Sequence, residues 1–453
     1  MRPSLRSRRV GSVVGPTCGS VTMTRTVRQP RRRFIRSGRF QLSRPRLAFL
    51  AVDEVADIDW IPEGTRFGVD EMTYFVGRGE RDLDESLAEV DLIITGPHGS
   101  GAFPAEMQPF VDARLTRRLQ YDFTDISTSP VTRRWAQIDP GVLYIEAPHP
   151  RAVRDANRAR PDDLIPGLRE AFARLDAGGP DGRPSLAGVD AVRPVTFGYL
   201  PVYKRPQNDD DWERLGDALR RVGALGIDEY ERVRDDLVER VVEAKLRRLA
   251  TIDPAACSVS DWNSATHLDV MSMHDTMNYT ARPDGAICLE RQPEDRLPAV
   301  VALSNHGDAI GELASDDAAT LRDPSAVPSM RPERLRIIGR AHQIAFDAWG
   351  LDDVAFNRPY LGGHETRTLS PKLQTLEPLA VVRPRDGITR RLRFGVWQNE
   401  FLREFFLGPE AAGKLAQPGT DWLLPPDDHV EWLAERLRYA HDLVRAWDHA
   451  LVR

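Results

Sequence analysis

Residues 93–101 have the sequence IITGPHGSG, in which an apolar run meets a turn rich in glycine and proline. The run begins at Val90, and its β-branched residues predict a buried strand that ends at the turn. His98 follows directly, at the strand end where open α/β sheets bind their ligands. This position predicts a functional role for His98, although a single histidine at a strand end is more often structural.

A second apolar run with β character, residues 267–273, ends in His274. The acidic segment 121–125, YDFTD, lies between the two histidines in the chain. Two histidines and one carboxylate form a hydrolytic zinc site that leaves one coordination position for water. These residues therefore predict a zinc centre at one edge of a sheet, with Asp125 or Asp122 as its carboxylate ligand.

The chain after these first strands alternates apolar runs of strand length with amphipathic runs of helix length. Strands are expected at residues 90–94, 141–147, 195–203, 267–273, 299–303 and 392–400, and helices at 162–176, 209–222, 227–249, 332–349 and from 430 to the end. This alternation predicts a three-layer α/β/α fold with a mixed sheet. We expect residues 47–453 to form a single α/β hydrolase domain with a helical insertion at about 160–250.

Composition indicates a globular protein, and we expect it in the cytoplasm. Of its 453 residues, 41% are hydrophobic and 29% are charged. No apolar run approaches the ~20 residues of a membrane span, so we expect no membrane contact by the folded domain. The three cysteines form no CxxC pair, which argues against a disulfide framework and a thiolate zinc site. Any metal must therefore be held by histidine and carboxylate side chains.

Residues 1–46 contain 13 arginines and no acidic residue. The rest of the chain is therefore more acidic than the overall net charge of −6 indicates, which argues against nucleic acid as the partner of the folded domain. The basic segment lacks the apolar core of a secretory signal, and Met23 offers a later start. We expect a disordered leader. The alternatives are an arm that binds nucleic acid or an anionic membrane, and a transit peptide.

Six short elements follow one another in a recognisable order. They are PHGSG at 97–101, TDIS at 124–127, PRAVRDANR at 150–158, SMHD at 272–275, NRPYLGGHETR at 357–367 and QNE at 398–400. In this order they resemble the elements of the N-formylglutamate amidohydrolase family, which are zinc-dependent amide hydrolases related in fold to the zinc carboxypeptidases. The chain departs from the family by one additional residue after His98 and by Ser127 where the family has a histidine. It is similar to a divergent member.

The resemblance implies a phosphorylase/hydrolase-like fold and a role for each matching residue. His98, Asp125 and His274 become the zinc ligands, and Glu400 becomes the general base. Arg151 is implied as a catalytic residue that polarises the scissile carbonyl or binds a substrate carboxylate. The implied substrate-binding residues are Arg158, Asn157, Arg367, Gly363, His364 and Gln398.

The resulting hypothesis is a zinc-dependent hydrolase that cleaves the amide of a small N-acyl amino acid, similar to N-formylglutamate, through a metal-activated water. A zinc carboxypeptidase-like or other acyl-amino-acid hydrolase is the nearest alternative. An alternative of another class is a non-catalytic binding or regulatory protein on the same fold. The sequence names neither the acyl group and the amino acid nor the oligomeric state.

Overall fold

The computed structural model describes residues 56–179, 183–312 and 327–447 of the chain. Most strands are short, and the two longest contain ten residues each. The strands are β1 (Trp60–Ile61), β2 (Thr73–Tyr74), β3 (Leu92–Gly96), β4 (Phe103–Pro104), β5 (Val142–Glu146), β6 (His267–Thr276), β7 (Tyr279–Ala281), β8 (Ile287–Glu290), β9 (Val301–Ser304), β10 (Val354–Phe356), β11 (Val381–Val382), β12 (Arg390–Arg391) and β13 (Arg393–Leu402).

The helices range from single turns to the 25 residues of the longest. They are α1 (Val69–Met72), α2 (Leu83–Ser86), α3 (Thr128–Ile138), α4 (Leu164–Ala177), α5 (Asp209–Leu225), α6 (Ile227–Thr251), α7 (Val259–Thr266), α8 (Pro332–Phe346), α9 (His364–Leu376), α10 (Arg403–Ala412) and α11 (Asp427–Trp447). Short 3₁₀ helices lie at Ala105–Met107, Leu119–Asp122 and Pro293–Asp295.

The central sheet has seven strands in the order β10-β9-β13-β6-β3-β5-β2. The neighbours β13 and β6, β6 and β3, β3 and β5, and β9 and β10 run parallel, whereas β9 with β13 and β2 with β5 are antiparallel. The sheet is therefore mixed, as the sequence predicts. Because β3, β6 and β13 run in the same direction, their carboxyl ends meet at one edge.

Successive residues of the central strands pack into different apolar clusters. On β3, Leu92 and Ile94 belong to a cluster with buried residues of α3, α8 and α11. Ile93 instead joins buried residues of α6 and α9. Both side-chain directions of the strand are thus buried, which explains why its sequence is continuously apolar rather than alternating. The fold is α/β, with helices packed on a mixed sheet.

Most of the predicted strands and helices are present. The expected strands at 90–94, 141–147, 267–273, 299–303 and 392–400 correspond to β3, β5, β6, β9 and β13, and the five expected helices correspond to α4, α5, α6, α8 and α11. Helices α3, α7, α9 and α10 were not predicted. They are short, from 8 to 13 residues, so their apolar period extends over few turns.

The strand predicted at residues 195–203 is wrong. Val195 and Pro201 form only an isolated bridge around a tight turn, in which the Thr196 N–H donates to the Leu200 carbonyl over 2.8 Å. Tyr199 within the turn has a φ of 63°, a left-handed conformation that interrupts a strand. Pro201 has no N–H to donate to a neighbouring strand. The apolar residues of this segment line a loop instead.

Three other expectations concern the wider organisation of the chain. The basic leader at residues 1–46 lies outside the described residues, so its disorder stays a prediction. Helices α4, α5 and α6 fall within the range of the expected insertion, but whether they form an insertion into one domain also stays a prediction. Across the three described ranges, no helix combines the length and the apolar character needed to cross a membrane.

Candidate active site

Two parallel strands bring His98 and His274 together. The strands β3 and β6 are neighbours, with Thr95 paired to Ser272, so the residues that end β3 lie beside the last residues of β6. Asp125 joins them from the loop before α3, because its backbone N–H donates to the His98 carbonyl over 2.9 Å. All three side chains are buried, with exposed fractions of 2% for His98, 3% for His274 and 5% for Asp125.

The side chains converge on a single oxygen atom. Asp125 Oδ2 lies 2.8 Å from His274 Nδ1 and 3.3 Å from His98 Nδ1. The centres of the two imidazole rings are 4.9 Å apart. The three groups form the one set of potential ligands found among the described residues in which at least three histidine, cysteine or acidic side chains converge closely enough to hold a metal ion.

The second nitrogen of each imidazole is held by a different partner. His98 Nε2 lies 2.7 Å from Asp155 Oδ1, and since a carboxylate can only accept, Nε2 carries the proton. His274 Nε2 lies 2.9 Å from Ser272 Oγ, whose hydroxyl donates to Glu365 Oε2 over 2.8 Å. His274 Nε2 is therefore the donor to Ser272. With Nε2 as the donor in both rings, Nδ1 is in each case the nitrogen that faces Asp125 and is available to a metal ion.

The donor set fits a divalent metal ion. His98 Nδ1 is buried and has no hydrogen-bond partner among the described residues. Leaving a buried polar atom without a partner costs free energy. This nitrogen faces the Asp125 carboxylate and the His274 imidazole. Burial raises the pKa of Asp125, but its interactions with the neighbouring His274 and His98 outweigh burial and lower it. The charged carboxylate and two imidazole nitrogens are ligands that suit zinc.

Asp122, the alternative ligand, lies in a different environment. Its Oδ2 accepts hydrogen bonds of 3.0 Å from the Thr196 hydroxyl and the Gly198 N–H, and its Oδ1 accepts one of 3.0 Å from the Ala281 N–H. This carboxylate fixes the turn at residues 196–200. The structure thus brings Asp125, and not Asp122, to the two histidines.

Glu400 lies on β13, directly beside His274 of the neighbouring strand β6. Its side chain is buried, and Gln398 Nε2 donates to Glu400 Oε2 over 2.8 Å. Burial raises the pKa of Glu400, although the nearby His274 lowers it in part. A buried carboxyl group with a raised pKa beside a metal-binding set has the properties of a general acid or base. The predicted positions of Glu400 and Gln398 are therefore adjacent to the histidines.

The three predicted arginines do not converge on this centre. The Arg151 guanidinium donates from Nε and Nη2 to Asp155 Oδ2, with the Nε bond at 2.9 Å, and thus contacts the residue that holds His98. Arg158 is paired with Asp190 at 2.8 Å. Arg367 is exposed and lies on α9. Arg151 and Arg158 are thus each neutralised by an aspartate.

The remaining predicted residues divide into two groups. Asn157 Nδ2 lies 3.4 Å from His274 Nε2, and a side chain at Gly363 would come within 2.1 Å of the Asn157 amide, so Gly363 permits this close approach. His364 is instead surrounded by charged groups that include Glu231 of α6; burial lowers its pKa. His364 therefore faces α6 and is not grouped with the histidines of the centre.

Two residues of the site were missed from the sequence. Glu365 is 1% exposed and accepts from Thr95, Ser272, Tyr230 and Arg234, each at 2.8 Å. Arg403 is also 1% exposed, pairs with Asp275, and has Nη2 at 3.6 Å from Asp125 Oδ1. Glu365 lies in the first turn of α9, where acidic residues are common for reasons of the helix dipole, so its sequence position gives no distinguishing signal.

The comparison with known families gives a direct match. Residues 90–219 match the model of N-formylglutamate amidohydrolase. Residues 90–219 thus belong to the N-formylglutamate amidohydrolase family. The predicted resemblance is confirmed, and with it the enzyme class, a hydrolase of carbon–nitrogen bonds. The matched residues contain His98, Asp125 and Asp155, whereas His274 and Glu400 lie beyond them. No curated protein sequence matches the chain.

Solved structures give weaker likenesses. The crystal structure of N-formylglutamate amidohydrolase from Ralstonia eutropha JMP134 is 16% identical and has a TM-score of 0.42, covering 80% of this chain and 93% of that one. A gene product of Agrobacterium tumefaciens is 11% identical with a TM-score of 0.33, covering 79% of this chain and 92% of that one.

Proposed function

We propose that this protein is a zinc-dependent amide hydrolase that cleaves small N-acyl amino acids. The observation that carries the proposal is the convergence of His98 Nδ1 and His274 Nδ1 on one oxygen of Asp125, beside Glu400. Two imidazoles and a carboxylate are a ligand set that zinc accepts, and they leave a coordination position open. The family match over residues 90–219 supports amide hydrolysis as the reaction.

In amide hydrolysis the oxygen of water joins the carbonyl carbon and the carbon–nitrogen bond breaks. Zinc held by His98, Asp125 and His274 would act as a Lewis acid and would lower the pKa of the water bound to it. Glu400 takes the proton that the water loses and delivers it to the leaving nitrogen, which gives a carboxylate and an amine. Its raised pKa suits both halves of this transfer, because the protonated form is more accessible than for an exposed glutamate.

We propose for Arg151 a role that differs from the predicted one. Its guanidinium is bonded to Asp155, and Asp155 is bonded to His98. We therefore assign Arg151 as a positioning residue that holds the Asp155 carboxylate toward the imidazole, rather than as a group that polarises the substrate carbonyl. Carboxylates that accept from the distal nitrogen of a metal-binding histidine fix the orientation of the ring.

We also propose the layer arrangement of the fold, the kind of substrate and the resident metal. The two apolar clusters on the mixed sheet support a three-layer α/β/α arrangement of the phosphorylase/hydrolase type, related to the zinc carboxypeptidases. We propose a small carboxylate-bearing molecule as the substrate, because the family that residues 90–219 match is named for N-formylglutamate. We propose Zn²⁺ as the resident metal on the chemistry of its ligands.

Metal analysis of the purified full chain tests the ligand assignment. We expect about one zinc ion per chain after purification with zinc supplied, and loss of that zinc in His98→Ala and in His274→Ala. His429→Ala is the matched control, because His429 is a half-buried histidine that contacts the Phe405 carbonyl outside the site. Unchanged zinc content in both site variants would show that these histidines do not bind the metal.

Steady-state kinetics with N-formyl, N-acetyl and N-succinyl amino acids test the reaction. We expect Glu400→Gln to keep its zinc and to lose about 10²–10⁴-fold in kcat, the usual contribution of a general base. Glu410→Gln, which changes an exposed glutamate on α10, should retain full activity. A Glu400→Gln rate equal to that of the wild type removes Glu400 from the mechanism.

A further inference from the structure

Arg403 is a buried arginine at the junction of β13 and α10, three positions after Glu400. It is 1% exposed, and a charge at this depth costs free energy unless other groups pair with it. The proposed hydrolysis gives it no part as a ligand, base or substrate contact. Its contacts with the surrounding groups therefore indicate what it does.

The guanidinium of Arg403 is fixed on two sides. Its Nε donates to Asp275 Oδ1, and its Nη2 donates to the Asp275 carbonyl over 3.0 Å. Its Nη1 donates to the Tyr121 carbonyl, and its Cζ lies 5.3 Å from the centre of the Tyr121 ring. Because a guanidinium is planar, bonds from all three nitrogens determine its orientation. Nη2 has a second N–H, which can serve another acceptor.

Asp125 lies on that remaining side of the guanidinium. Arg403 Nη2 is 3.6 Å from Asp125 Oδ1, a distance typical of an ion pair rather than of a hydrogen bond. The two histidines contact the other oxygen, Oδ2, at 2.8 Å for His274 and 3.3 Å for His98. The two oxygens of one carboxylate thus face different groups, Oδ1 a cation and Oδ2 the two imidazoles.

Arg403 is positively charged in this position. Burial lowers the pKa of Arg403, but the charges of Asp275 and Asp125 outweigh burial and raise it. Charges interact more strongly in the interior of a protein than at its surface. A buried cation beside Oδ1 attracts that oxygen and repels a metal ion from it. Oδ2 is therefore the oxygen of Asp125 that a metal ion can reach at the lower electrostatic cost.

The number of oxygens that Asp125 gives to the metal matters for hydrolysis. A carboxylate can bind a metal ion through one oxygen or through both. A hydrolytic zinc site has three protein ligands and an open position for water. With His98 and His274 in place, a second oxygen from Asp125 would compete for that position.

We propose that Arg403 is a positioning residue that restricts Asp125 to one oxygen, Oδ2, as a metal ligand and so keeps the position for water open. The inference rests on the proposed function and adds a residue that controls one of the ligands. Arg403 differs in this from Asp155, which is bonded to His98 and orients that ligand. Loss of Arg403 removes a positive charge from the surroundings of the metal, so it should not weaken metal binding.

Visible absorption of the full chain loaded with cobalt(II) tests the proposal. Cobalt(II) accepts the same nitrogen and oxygen ligands as zinc. It absorbs strongly with four ligands and weakly with more. We expect the wild type to have the strong absorption of a four-coordinate ion. Arg403→Met and Arg403→Lys should each lose it, because Asp125 then binds through both oxygens.

The two variants differ in what they preserve. Lysine retains a positive charge that can pair with Asp275, but it lacks the planar fork that also faces Asp125. Arg403→Lys therefore separates the effect on Asp125 from the loss of a buried ion pair. Thermal unfolding establishes which variants are folded. Wild-type absorption in folded Arg403→Lys would overturn the proposal.

Zinc affinity and turnover give a second readout. Competition with a metal-binding dye should show that Arg403→Lys binds zinc at least as tightly as the wild type. We expect kcat to fall by about 10–100-fold in the same variant, the usual range for a residue that supports a metal ligand. Weaker zinc binding in folded Arg403→Lys would show that the arginine merely supports the site as a whole, contrary to the proposal.

Arg390→Lys is the matched control. Arg390 lies on β12, is 4% exposed, is paired with Asp386 and donates to the Leu249 carbonyl over 2.8 Å. Like Arg403, it is a buried arginine bonded to one aspartate and to a backbone carbonyl, but it precedes β13, whereas Glu400 lies near the end of that strand. We expect the absorption, the zinc affinity and kcat of this variant to equal those of the wild type.

A crystal structure of the zinc-loaded wild type tests the proposal without any variant. Zinc bound by Asp125 Oδ2 alone, with Oδ1 facing Arg403, supports it, and zinc bound by both oxygens overturns it. Neither outcome depends on turnover. One-oxygen binding in a protein that hydrolyses no N-acyl amino acid would support this inference and refute the proposed reaction. A wild type that binds neither zinc nor cobalt would overturn both.

Discussion

At the candidate metal centre, each histidine is oriented by an acidic residue that does not itself contact the other histidine. Asp155 bonds directly to His98 Nε2, whereas Glu365 acts on His274 through the Ser272 hydroxyl. The family element Asp-x-His-Ser is present here as SMHD, with Ser272 where the family has aspartate. The serine side chain is shorter than that of aspartate and carries no charge. Glu365 of α9 supplies the negative charge from another part of the chain.

This arrangement predicts that Glu365 determines zinc affinity. In Glu365→Gln the side chain keeps its size but loses the charge that polarises Ser272 and His274. We expect zinc affinity to fall by about 10–100-fold, the usual effect of removing a partner of a metal-binding histidine. Competition with a metal-binding dye measures the dissociation constant without reference to turnover. Glu243→Gln, which changes an exposed glutamate on α6, is the control.

The role of Ser272 as the link can be measured in the same way. Ser272→Ala should weaken zinc binding in the same direction, and the double variant should be no weaker than the more affected single variant, because both changes break one chain of hydrogen bonds. Additive losses in the double variant would mean that Glu365 and Ser272 act on the metal centre independently.

At the scale of elements, the site depends on which strands are neighbours. Because β3, β6 and β13 are adjacent and parallel, His98, His274 and Glu400 meet at one edge although they are separated by more than a hundred residues in the chain. The strands themselves are readable from their apolar runs. Their pairing is not, because any two apolar strands of similar length are compatible with the same pattern.

Helix α8 packs against the sheet through a buried neutral histidine. His342 donates from Nδ1 to the Ile338 carbonyl over 2.9 Å, and its Nε2 lies 3.4 Å from the Asn399 amide on β13. Burial lowers the pKa of His342 to about 4 from its ordinary value of 6.5. The unfolded chain therefore binds a proton more readily than the folded protein does, so protonation favours unfolding.

The lowered pKa of His342 predicts a loss of stability in acid. Its contribution is fully present above about pH 6.5 and declines as the pH falls toward 4. Lowering the pH from 7.5 to 5.5 should reduce the free energy of unfolding by about 1 kcal/mol through this residue. Urea unfolding at the two pH values measures it, and in His342→Gln the decrease should be smaller by that amount. Gln343→Ala, on the next position of α8, controls for disturbance of the helix. An identical decrease in His342→Gln and the wild type would exclude His342 as its source.

Across the whole fold, helix α11 is bonded to Asp91, the residue that precedes β3. The Arg445 guanidinium of α11 donates to both oxygens of Asp91, at 2.7 and 2.8 Å, and to Asp139 at 3.0 Å. His441 of the same helix adds a contact of 3.0 Å to Asp91. Asp91 precedes β3 and is 3% exposed. The network therefore joins residues separated by 350 positions in the sequence.

Removing the arginine from this network should destabilise the entire fold. Arg445→Met leaves two buried carboxylates without their main partner, and breaking a buried ion pair in this way typically costs about 3–5 kcal/mol. Urea denaturation measures the free energy of unfolding. Arg438→Met removes an exposed arginine from the same helix and should change stability by less than about 0.5 kcal/mol. A small effect of Arg445→Met would mean that Asp91 and Asp139 become protonated or hydrated instead.

The α/β class, most of the strands and helices, and the resemblance of residues 90–219 to a known family can be predicted from the sequence alone, because apolar periodicity and short motifs are local properties of the chain. The sequence also predicts His98 and His274 from their positions at strand ends, and Glu400 from the resemblance of residues 398–400 to a family element. It left Asp122 and Asp125 as alternatives, mistook the turn at 195–203 for a strand, and gave no signal for Glu365 or Arg403.

Those points depend on contacts that form only in the folded molecule. Asp125 faces both histidines while Asp122 bonds to a turn, and the difference depends on contacts across more than seventy residues. Likewise, Arg151 and Arg158 are each paired with an aspartate that lies more than three residues away in the chain. The physical reason is that a charged group acts through its nearest partner in space, and local sequence patterns specify the side chain but not the partner.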